Sequence, residues 1–168
     1  ALQYGHRAAI VLFTGSAQTG KTFLARRVEA LLVADSRHAY LLEGENLLQG
    51  LDADLSAADP SFASERVRRY GEVARLLIDT GLIVVSTSKT FGINYHRMAE
   101  MIRTLVQPAP VIAVHISRAG EEPPPNTDLH FAGPQDFDAA ARQILEELKK
   151  RGVLIQPSGT KSTIQYSI

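Results

Sequence analysis

Apolar and polar positions alternate between two periods along this chain. Residues 8–14, AAIVLFT, form an unbroken apolar run, as expected of a strand buried on both faces. A Gly-containing turn follows at once, and KTFLARRVEALLVA then predicts a helix, with Phe23, Leu24, Val28, Leu31 and Leu32 at helical spacing. AYLLE (39–43) predicts a short strand, followed by a loop, a short helix from Asn46 and a polar turn region ending at Pro60. Residues 64–80 predict a long helix with Val67, Tyr70, Val73, Ala74, Leu77 and Ile78 inward, stopped by Gly81. LIVVST (82–87) predicts another buried strand, and NYHRMAEMIRTLV (94–106) a helix ended by Pro108. PVIAVHI (110–116) is the fourth predicted strand. The loop SRAGEEPPPNT follows, in which three successive prolines forbid helix. DLHFAG (128–133) predicts a weak last strand, and residues 134–152 a final helix with Gly152 at its C-cap. Residues 153–168 have no clear period; STIQYSI reads as an edge strand or a disordered end.

Five strands alternating with helices predict an α/β fold, a mostly parallel five-stranded sheet with helices on both faces. One domain over 1–152 with a C-terminal tail, 153–168, suits a chain of 168 residues. In such sheets ligands gather at the carboxyl ends of the strands. The turn after the first strand, Glu43 and Glu45 after the second, and STSK (86–89) after the third all fall on that rim.

Composition narrows the function classes. Lys+Arg and Asp+Glu are both 18, so no excess of basic charge holds a nucleic acid. The absence of Cys removes disulfides and thiolate chemistry and fits a reducing cytoplasm. The longest apolar runs are too short to span a bilayer, so no membrane association is expected. The five histidines, at 6, 38, 96, 115 and 130, show no metal-ligand spacing and read as structural. The chain opens on ALQYGHR without Met, as a fragment or trimmed protein would.

The turn itself, GSAQTGKT (15–22), matches the phosphate-binding pattern G-x-x-x-x-G-K-[ST] in full, in the strand–loop–helix context that the pattern needs. Backbone N–H groups of Gly15, Ser16, Ala17, Gln18, Thr19 and Gly20 are placed to cradle ATP phosphates, helped by the positive end of the following helix. Lys21 reaches the outer phosphates, and the Thr22 hydroxyl is a ligand for Mg2+. EGEN (43–46) sets two carboxylates two residues apart near this loop. Either Glu43 or Glu45 could hold a metal-bound water or accept the proton of an attacking hydroxyl. Arg66, Arg68, Arg69 and Arg75 share one helix with Glu65 and Glu72 at ion-pairing spacing, as a solvated helix face would. Lys89 reads as an exposed loop lysine.

These blocks, taken in order, resemble the adenylylsulfate kinases, which use ATP to phosphorylate the 3′-hydroxyl of adenosine 5′-phosphosulfate (APS). The similarity covers about residues 5–152, through GHRAAIVLFTG, LLEGENLLQGLDADL, ERVRRYGEVARLLIDTGLIVVS and NTDLHFAG with the last helix. It implies a P-loop kinase fold of the nucleotide-kinase type, with ATP on Gly15, Gly20, Lys21 and Thr22. The family's two motif aspartates fall on Glu43 and Glu45 and its Asn on Asn46, while Phe91 matches the Phe of a Ser-Pro-Phe-Arg element; Asn46, Arg66 and Phe91 are the candidate substrate-binding residues. The resemblance leaves room for a homodimer and for fusion to, or association with, a sulfate adenylyltransferase.

The chain also departs from the family pattern. Both aspartates are Glu, the motif Arg is Leu48, and an Asn is Arg66, which supplies charge from a different place. An Arg just before that helix motif is replaced by Phe62 or Ala63. KTFG (89–92) lacks the Pro and Arg of its element, and a short loop replaces the basic lid between the fourth and fifth strands. Two readings follow. One is an ATP-dependent kinase acting on APS or on another small hydroxyl acceptor. The other is a nucleotide-binding regulatory or interaction domain that has kept the phosphate cradle and lost catalysis.

Overall fold

The computed structural model describes residues 5–88, 94–133 and 135–155. Its strands are β1 (Ala9–Gly15), β2 (Ala39–Glu43), β3 (Ile83–Thr87), β4 (Val111–Ser117) and β5 (Leu129–Ala132). Its helices are α1 (Lys21–Ala34), α2 (Phe62–Asp79), α3 (Tyr95–Val106) and α4 (Phe137–Lys150). The strands form one parallel sheet in the order β2-β3-β1-β4-β5. β1 therefore lies at the centre, and its C-terminal end opens into the crevice where a parallel sheet binds ligands.

Strand alternation divides the core in two. Ala9, Val11 and Phe13 of β1 face α1 and α4, joined there by Ile112, Val114 and Ile116 of β4. Ile10 and Leu12 point the other way, towards Val67, Tyr70 and Ala74 of α2 and Met98 and Ile102 of α3. A strand covered on both faces has no polar side to show, which is why β1 reads as a continuous apolar run. Val153 and Leu154, just past α4, are buried in the α1/α4 layer, and Arg7 N donates to Val153 O at 2.9 Å.

Several sequence expectations are corrected. The turn after β2 is a 3-10 helix over Gly44–Leu47 and begins two residues before Asn46. α2 starts at Phe62 rather than at residue 64. Phe23, expected to face inward, is 63% exposed, because the inner stripe of α1 runs through Leu24, Ala25, Val28 and Leu32. Its ring packs on that of Phe137 at a centroid distance of 5.1 Å. Phe91, Lys89 and STIQYSI lie outside the described residues. No helix among the described residues is long and apolar enough to cross a membrane.

Candidate active site

The loop after β1 owes its path to two glycines. Gly15 has φ +143°, and a Cβ there would sit 2.0 Å from the Ile116 carbonyl oxygen, because the β1–β4 pairing continues to the strand end. Gly20 has φ +85°, and a Cβ would meet the Phe137 ring at 2.3 Å. A side chain at either position would displace the loop. Thr19 Oγ1 donates to Ser16 O at 2.9 Å across the loop. Lys21 Nζ donates to Gly15 O at 2.9 Å and to Ser88 O at 3.3 Å, so the ammonium stands between the ends of β1 and β3. α1 begins at Lys21, which leaves its first N–H groups directed at the loop.

Glu43 ends β2, beside this lysine. Its Oε1 accepts from an Arg26 guanidinium nitrogen at 3.1 Å, and its Oε2 accepts from Asn46 Nδ2 at 3.4 Å. Glu45 and Asn46 follow on the 3-10 turn, both exposed. The buried Tyr70 hydroxyl, reaching up from α2, bonds Leu42 O at 3.0 Å and Thr87 O at 3.2 Å. It ties the ends of β2 and β3 together. Burial pushes this phenol well above its ordinary pKa, so it remains a neutral donor.

Lys21, Thr22, Arg26, Glu43, Glu45, Asn46, Thr87 and Ser88 line one pocket of about 150 Å3. Five of the eight are residues that the sequence nominates for catalysis, metal or substrate. Arg26 is a member that sequence reading missed; the signal was its position four residues after Thr22, on the same face of α1. Hard oxygen donors from Thr22, Glu43 and Glu45 suit Mg2+, which takes one or two carboxylates and completes its shell with phosphate and water. No cluster of three or more His, Cys, Asp or Glu that could hold a metal occurs among the described residues.

Arg66 stands elsewhere. It is buried at 6% exposure, with its Nε 3.3 Å from Asp52 Oδ2, and it does not line the pocket. Leu48 is exposed and also outside the lining. Arg68 and Arg69 pair with Glu65, and Arg75 with Glu72, as the helical spacing predicts. Hydrogen bonds from Arg68 and Arg69 lower the Glu65 pKa to about 2.

Two further openings flank the phosphate loop. Gln18 and Thr19 share a pocket of about 280 Å3 with Ser117, Arg118, Ala119 and Gly133. Ser16 borders a cleft of about 630 Å3, walled by Tyr95, His115, Glu121 and three prolines. The loop between β4 and β5 supplies Glu121, Glu122 and the three prolines to this cleft. The cleft contains neither Lys21 nor Thr22, which both line the smaller pocket. Thr14 Oγ1 and His115 Nδ1 share a hydrogen bond of 2.8 Å beneath the loop. Burial, then His130, lowers the His115 pKa, with Lys21 adding to the effect and Glu121 opposing it.

The comparisons with known proteins agree with this geometry. The family described as Adenylylsulphate kinase matches residues 7–123. An adenylyl-sulfate kinase of Yersinia pestis is 31% identical over 90% of this chain and 83% of its own length. One from Shewanella amazonensis is 40% identical over 70% of this chain and 57% of its own length. The fold is similar to that of the Mycobacterium tuberculosis APS kinase solved with AMPPNP and APS. The TM-score is 0.74 at 23% identity, covering 86% of this chain and 99% of that one.

Proposed function

The chain belongs to the adenylylsulfate kinase family, and from that premise we propose that it transfers the γ-phosphate of ATP to the 3′-hydroxyl of APS. The observation that carries the proposal is the convergence of Lys21, Thr22, Glu43 and Glu45 on one pocket at the carboxyl rim of the sheet. The phosphates lie against the backbone N–H groups of 15–20 and the start of α1, with the Lys21 ammonium on the outer oxygens. Thr22 and Glu43 would hold Mg2+, which would supply neutralising charge to the ATP phosphates. The base in the pocket lining of Gln18, Thr19, Ser117 and Arg118 completes the nucleotide site.

Glu45, exposed on the 3-10 turn and lining the same pocket as Lys21 and Thr22, is the carboxylate assigned to take the proton. The acceptor oxygen forms a bond to the γ-phosphorus, the bond to the β–γ bridging oxygen breaks, and ADP leaves with that electron pair. The hydroxyl proton passes to Glu45. A base displaced by about 1 Å loses much of its effect, and here the 3-10 turn sets the longer Glu side chain. We extend the proposal to a cytoplasmic reaction and to association with a sulfate adenylyltransferase that provides APS. A purely nucleotide-binding domain is the less supported reading, since the relatives that the chain matches are adenylyl-sulfate kinases.

Glu45→Gln tests the assignment. Turnover of APS should fall by about 100-fold or more, while ATP still raises the melting temperature. Unchanged turnover would remove Glu45 from the mechanism.

A further inference from the structure

We propose that Arg26 makes the acceptor site specific for an anionic substrate, by offering its negative group a guanidinium. The inference rests on the kinase reading above and deepens it. Charge in the pocket is the first argument. Its lining holds Lys21 and Arg26 against Glu43 and Glu45, an even balance. Without Arg26 the side chains of the lining carry a net negative charge, which disfavours an anionic acceptor.

The second argument is the donor count. A guanidinium has five N–H donors in a planar fork suited to phosphate or sulfate oxygens. Among the described residues, Arg26 has a single side-chain bond, to Glu43 Oε1 at 3.1 Å. The side chain is 64% exposed at the pocket rim, so the remaining donors are open to a ligand. Three arginines of α2 are engaged elsewhere. Arg66 is buried with Asp52, and Arg69 spans Glu65 and Asp54. Arg68 holds Glu65 through two nitrogens.

The third argument is placement. Arg26 is one helical turn beyond Thr22, so its charge stands over the hydroxyl that the phosphate-loop pattern assigns to the metal. From there one guanidinium can reach both Glu43 and an oxyanion seated between α1 and the end of β2. An exposed pair such as Arg26–Glu43 is weak, so adding a second anionic partner costs little.

The test is APS binding by titration calorimetry at two salt concentrations, on wild type, Arg26→Ala and Arg26→Lys. Arg26→Ala should weaken APS about tenfold or more; Arg26→Lys should recover part of that loss. Raising the salt should weaken APS less in Arg26→Ala than in wild type. The proposal is overturned if Arg26→Ala keeps APS affinity within about twofold. It is also overturned if affinity falls with the salt dependence unaltered, or if wild type binds no APS. Binding is read without turnover, so a wild-type protein that binds APS and transfers no phosphate would refute the kinase reading alone.

Discussion

Arg66–Asp52 and Arg26–Glu43 join the same two chemical groups in opposite surroundings. The first pair is 6% and 2% exposed, between α2 and the segment after the 3-10 turn. The second is 64% and 21% exposed, at the mouth of the site. A buried pair holds its partners because separating them strands a charge in low dielectric, whereas an exposed pair can be exchanged for water or ligand. Arg66 therefore acts as part of the scaffold and Arg26 as part of the site, although the family pattern draws attention to the first and says nothing of the second.

The contrast breaks most visibly in stability. Arg66→Ala leaves the Asp52 carboxylate buried alone and should cost about 3 kcal/mol or more, while Arg26→Ala should stay within about 1 kcal/mol. Denaturant titration of both variants checks this. Similar losses would mean that burial does not separate the two roles.

A smaller effect lies in pH. Burial is the largest cause lowering the pKa of both His6 and His115, so the folded protein resists protonating them. The unfolded chain then binds more protons than the folded one below the ordinary value of 6.5. Stability is present above that pH and is lost as pH falls from it towards the folded values. Glu65, lowered to about 2, loses its contribution only far below this window. The melting temperature should decline from pH 7 towards 5.5, as estimated from the histidine pKa, and His115→Asn should flatten part of the slope. A slope unchanged in His115→Asn would assign the titration elsewhere.

Much of this was legible in the sequence for physical reasons. β1 and β4 are buried on both faces, so their apolar runs carry the strand signal without competition. The phosphate loop needs Gly15 and Gly20 for backbone reasons that no other residue meets, so its pattern is local and complete. Glu43 and Glu45 were readable because β2 ends where β1 ends. Arg26 was not, since its role depends on α1 and β2 meeting across 17 residues of sequence separation. The burial of Arg66 was equally hidden: an arginine on a helix with acidic neighbours looks solvated until the 44–61 segment folds over it. Phe23 misled because helical spacing admits a residue at the edge of the inner stripe, and only the α1/α4 packing decides its side.

The most direct test of the account is phosphoryl transfer by the unaltered protein. Incubated with Mg2+, APS and ATP labelled on its γ-phosphate, it should place label on the 3′-oxygen of APS, with ATP raising the melting temperature of the same sample. ATP-induced stabilisation with no label on APS would contradict the kinase reading and leave a nucleotide-binding domain.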